Sequence, residues 1–121
     1  MTPKDDFLNV YNGRVIIKRL TSTFPVAETV VRAKSFLGEP YDWEYMPDNG
    51  KMYCSELIYE AYLNEDGSHI FSAKPMTFKN AEGETPQFWI ELFKKLEVDI
   101  PEGIPGTNPN DIFNDGRLIT L

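Results

Sequence analysis

The 121 residues carry 12 Lys and Arg against 19 Asp and Glu, a net charge of −7, and 41% of them are hydrophobic, the profile of one globular domain over 1–121. One Cys and one His exclude a disulfide framework and fall short of the roughly four ligands of a structural zinc site. The acidic balance argues against nucleic-acid binding through phosphate neutralisation, and no apolar run reaches the ~20 residues of a transmembrane helix.

The opening Met1–Asp6 carries acids and no apolar core, so no signal peptide is expected there. Arg14–Leu20, entered from the Asn12-Gly13 turn, holds three consecutive β-branched residues and predicts a strand with a buried middle. Val26–Leu37 predicts a helix: Val26, Val30, Ala33 and Leu37 share a face, Pro25 suits the first turn, Thr23 offers an N-cap, and Gly38 with Pro40 ends it.

Residues 39–53 form a loop with a turn at Asp48-Asn49-Gly50 and four large aromatics, Tyr41, Trp43, Tyr45 and Tyr53. Such rings either cap the core or line a cleft. Cys54–Leu63 predicts a second helix, with Leu57, Ile58, Ala61 and Tyr62 on the face of Cys54 and with Glu56 and Glu60 on the polar side. Residues 64–84 read as a long loop. Thr85-Pro86 then opens a third helix, to Leu96, with Thr85 as N-cap and Phe88, Trp89, Leu92 and Phe93 on its apolar face. Beyond Glu97 the chain is acidic and turn-rich, and Ile119 with Leu121 suits a short returning strand. Asn108-Pro109-Asn110-Asp111 lacks EF-hand spacing and reads as a turn.

Cys54 is the one residue able to act as a strong nucleophile at neutral pH. A helix N-terminus stabilises a thiolate through its dipole and free N–H groups, which also suit an oxyanion. Against that, a lone Cys on an apolar stripe is usually an inert small hydrophobe, and spacing alone favours that reading. His69, 15 residues later, would have to fold back along the ~15 Å of a ten-residue helix to act as a base. It is expected on a surface loop.

Taken together, Leu37-Gly38-Glu39-Pro40-Tyr41-Asp42 and Tyr53-Cys54-Ser55-Glu56-Leu57 resemble the motifs of the YiiX/YebB-like proteins. These are circularly permuted members of the NlpC-type papain-like cysteine hydrolases. Lys74-Pro75-Met76 and Gly106–Asp111 resemble the versions in gut-type Bacteroidetes bacteria, so the likeness covers nearly the whole chain. It implies an α+β, partial permuted papain-like fold of about three helices and a small, incomplete antiparallel sheet. It also implies Cys54 as the nucleophile forming an acyl-enzyme with a peptide, amide or acyl-ester substrate. Tyr53, Tyr41, Asp42 and Ser55 would support substrate or oxyanion, with no cofactor or metal, and a periplasmic or cell-envelope location would suit the family.

In permuted members the general-base His precedes the Cys, whereas no His precedes Cys54 here. The chain therefore matches the C-terminal part of such a domain and is expected to be inactive alone. Its strand at 14–20 would lack neighbours and leave an apolar edge able to pair with a second copy. A late start, a natural remnant and a half that pairs with another chain all fit. The competing reading is a non-catalytic binding module that uses the aromatic loop or that edge.

Overall fold

A computed structural model describes residues 3–10 and 15–121. The elements in chain order are α1 (Lys4–Asn9), β1 (Lys18–Leu20), α2 (Val26–Ser35), α3 (Cys54–Ala61), β2 (Lys74–Pro75), α4 (Gln87–Leu96), β3 (Pro105–Gly106), α5 (Pro109–Phe113) and β4 (Leu118–Thr120). Among the described residues two antiparallel pairs make the sheets, β1 with β4 and β2 with β3. The architecture is thus mixed helix and small antiparallel sheets, with five helices among the described residues where about three were expected. The added ones, α1 and α5, have six and five residues, too short for a repeating apolar face. At α5 the Asn108 side chain caps the helix, accepting from the Asp111 N–H at 2.8 Å, so the expected turn is a helix start.

The strand expected over 14–20 is corrected. Only Lys18–Leu20 pairs, because β4 offers three residues, in register Lys18 with Thr120 and Leu20 with Leu118. A bond from the Leu121 N–H to the Ile17 carbonyl extends the pairing by one step. Val15, Ile16 and Ile17, expected to be buried, are exposed. The strand does have a neighbour, the returning C-terminal segment. Arg14 and the Asn12-Gly13 turn lie outside the described residues.

Helix α2 begins at Val26 as expected, after Pro25 as N-cap instead of Thr23, and Gly38 takes the positive φ of its exit. Its apolar stripe is not what it buries. Val26, Val30 and Leu37 are exposed, whereas Thr29 is buried and bonds the Pro25 carbonyl. Arg32 reaches α3, its Nε donating to the Ala61 carbonyl at 2.9 Å and so capping the C-terminal end of that helix.

Helix α4 anchors the core. Its N-cap is Pro86, one residue later than expected. Phe93 is 1% exposed and meets Phe78 edge-on with ring centres 5.5 Å apart, and Trp89 meets Phe78 in the same way at 5.0 Å. Glu102 secures that region, its carboxylate accepting from the Phe78 N–H at 3.0 Å. A second cluster, Phe24, Tyr62 and Phe71, lies under α3.

Truncating Phe93→Ala should cost about 3–5 kcal/mol, against about 0.5 kcal/mol or less for Phe88→Ala, whose ring is 65% exposed. Urea unfolding midpoints of the two variants would check this. Equal losses would contradict the core described here.

Candidate active site

Cys54 is the first residue of α3 and is exposed, which corrects its placement on the buried stripe. Side chains on a helix tilt toward its N-terminus, so the first one projects beyond the helix end with no turn above to cover it. Its thiol borders an open apolar groove of about 640 Å³ that also takes in Leu20, Phe24, Ile58, Phe71, Ile112 and Leu118. That groove lies between the β1–β4 pair, α3 and α5.

The aromatic loop reaches Cys54 because of Asp42. This carboxylate is fully buried and accepts from the Glu44 N–H (2.9 Å), the Met46 N–H (3.0 Å) and the Asn49 side-chain amide (3.0 Å). The backbone joins in: Asp42 N–H bonds the Met52 carbonyl, and Met52 N–H bonds that of Pro40. These contacts hold Tyr45 at φ 55, a left-handed conformation costly for an aromatic residue. Its ring packs against Tyr53, 5.3 Å between centres, and against Trp89, at 6.0 Å. Asp42 therefore acts on the loop, with its oxygens turned away from solvent.

Tyr41 is 44% exposed, its ring packed 4.7 Å from that of Trp43. Burial pushes its pKa up to about 12, and the Tyr45 and Cys54 side chains add to the rise, so it stays neutral at physiological pH. Tyr53 and Ser55, the residues flanking Cys54, are both buried. The Tyr53 hydroxyl accepts from the Thr107 N–H at 3.2 Å, and the Ser55 hydroxyl from that of Thr107 at 3.0 Å. Thr107 lies within the Gly106–Asp111 likeness, but its link to this site could not be read from the sequence because it is more than fifty residues from both partners.

Glu56, assigned to the polar side, is buried at 7% exposure. Its carboxylate turns back to accept from the Tyr53 N–H at 3.2 Å, which satisfies a donor at the helix start. A Glu three residues after Tyr53, the spacing of a capping box, could have signalled this cap. Desolvation raises the Glu56 pKa to about 7, and the nearby Asp42 charge adds to the rise.

His69 is remote from this corner. It is exposed, its ring stacked on Tyr59 at 3.8 Å with Nδ1 2.9 Å from the Tyr59 carbonyl oxygen, on the loop that follows α3. The expected surface placement matches. Among the described residues, no three or more His, Cys, Asp or Glu side chains are grouped to hold a metal ion.

A family model described as "permuted papain-like amidase enzyme, YaeF/YiiX, C92 family" matches residues 1–121. The chain belongs to this family. It is 24% identical over 112 residues to the uncharacterised protein YiiX of Escherichia coli K12, covering 90% of this chain and 54% of that one. A crystal structure titled as that of the metalloprotein yiiX from Escherichia coli O157:H7 superposes with TM-score 0.66 at 22% identity, over 88% of this chain and 59% of the other. The chain thus spans a little over half the length of the relatives it matches. The fold is the papain-like α+β fold of that neighbour.

The raised Glu56 pKa has a testable sign. The folded state holds this proton more tightly than the unfolded chain, so the associated stability is full below about pH 4.5 and is lost as pH rises through about 7. The loss should be on the order of 2–3 kcal/mol. Glu56→Gln should flatten the melting temperature over that interval; an unchanged slope would show that another group controls it.

Proposed function

We propose that Cys54 is the nucleophile of an amide-cleaving cysteine hydrolase of this family. The observation that supports it most is the exposed thiol on the first residue of α3, at the edge of an apolar groove. Thiolate attack on the substrate carbonyl forms the C–S bond, and the carbonyl electrons pass to an oxyanion near the free N–H groups of the first turn. Collapse expels the protonated amine and leaves a thioester acyl-enzyme, which water cleaves to regenerate the thiol. In this reading Tyr41 supports the substrate or the oxyanion.

The reaction needs a base, and the chain's one imidazole, His69, lies beyond the other end of α3. We assign the base to polypeptide beyond these 121 residues that faces Cys54 across the groove. Alone, the chain is expected to acylate without efficient turnover. The substrate is a peptide, an amide or an acyl ester.

The exposed Tyr41–Trp43 pair favours a second reading, ligand binding without catalysis, and a second copy could pair with the β1–β4 edge. A monomer by sedimentation would count against edge pairing. Incubation with a p-nitrophenyl acyl ester, acid quench and intact mass measurement test the catalytic reading. One acyl group should appear on Cys54 faster than on cysteine in an unstructured peptide at the same pH, and none on Cys54→Ala. A rate no higher than the peptide's would sink the nucleophile assignment.

A further inference from the structure

We infer that Thr107 is the positioning residue for Cys54, an inference that rests on the nucleophile reading above. Its two polar groups bracket the nucleophile: the backbone N–H donates to the Tyr53 hydroxyl, one residue before Cys54, and the side-chain hydroxyl donates to that of Ser55, one residue after. Both partners are buried while Cys54 is exposed. A residue from the far end of the chain thus fixes both sides of an exposed thiol without covering it.

Thr107 is itself held from both directions. Before it, Gly106 pairs with Lys74 across β2–β3 and runs against Tyr53. A Cβ on Gly106 would fall 2.8 Å from Met76 Cγ and 3.0 Å from the Tyr53 hydroxyl oxygen, so only glycine allows this approach without a shift. After it, Asn108 caps α5, whose Ile112 and Phe113 form part of the groove wall. The Thr107 hydroxyl is therefore aimed by backbone fixed on either side.

The consequence is chemical. An anion at Cys54 is stabilised by the N–H groups of the first turn, and their value depends on being aimed before charge develops. At the other end, Arg32 secures α3 through the Ala61 carbonyl. At the reacting end, the Thr107 contacts and the Tyr53–Glu56 cap set the orientation. A merely space-filling hydroxyl pair would behave differently: replacing such a pair by apolar groups of similar shape is nearly neutral, and sulfur reactivity would not follow.

The test is the pH dependence of Cys54 acylation by the p-nitrophenyl ester, with thermal unfolding measured alongside. Thr107→Val keeps the shape and removes the donor. It should slow acylation at neutral pH about two- to tenfold, the worth of one hydrogen bond, and displace the profile toward alkaline pH. Thr107→Ser should restore both rate and profile. A folded Thr107→Val with the unsubstituted profile would overturn the inference, as would Thr107→Ser behaving like valine. Should the valine variant not fold, Ser55→Ala removes the same bond from the other side, and an unsubstituted profile there is equally fatal. Failure of the nucleophile reading is distinguishable, because it shows in the unsubstituted chain as a rate no higher than the peptide's.

Discussion

The buried carboxylate of Asp42 is the contact on which the site depends. An ionised group without solvent exposure is tolerated only when donors replace its lost water, and three do so, two backbone N–H groups and one amide. All three come from the seven residues that follow it, so satisfying one charge folds one loop. That fold pairs Tyr41 with Met52, two residues before Cys54, and sets Tyr45, despite its strained backbone, against Tyr53 and Trp89. Of the two roles its composition allowed, the aromatic loop takes the first: Tyr53 joins the core with half-buried Tyr45 packed on it, while Tyr41 and Trp43 are exposed and do not line the groove.

The other half of the geometry is an uncovered apolar surface. Val15–Ile17, the Val26–Val30 side of α2 and the tip of β4 are exposed, and they adjoin or line the groove that Cys54 borders. The helix pattern was real, but α2 meets α3 while its apolar stripe stays largely uncovered among the described residues. The match to the yiiX crystal structure covers 59% of that chain, so a large part of the relative has no counterpart among these residues. A thiol at the rim of such a groove is suited to act with groups that face it from across the gap.

Much of this could be read from local chemistry. The Gly38 exit of α2, the opening of α3 at Cys54 and the α4 face with Phe93 follow from residue types within one or two turns. The Y-D and Y-C-S-E-L motifs marked the family that the whole-chain match shows. The failures share one cause, since each depends on what lies opposite. Cys54 and Glu56 exchanged expected burial because helix-end geometry projects the first side chain outward and turns the carboxylate of the third residue back into the cap. The strand shortened because its partner offers three residues.

The sequence by itself determined where α2 and α3 start and roughly where α4 lies, which residue could be the nucleophile and that His69 would lie far from it. Those are consequences of backbone sterics, capping and chain reach, all local quantities. Only the tertiary structure decided that Thr107 meets both neighbours of Cys54, that Asp42 is wholly enclosed and that the α2 stripe faces open space. Contacts between residues fifty positions apart depend on how separate elements pack, and no local pattern encodes that. The acidic, single-cysteine chain of the opening count is thus a papain-like scaffold whose exposed thiol is held from the far end of its own sequence.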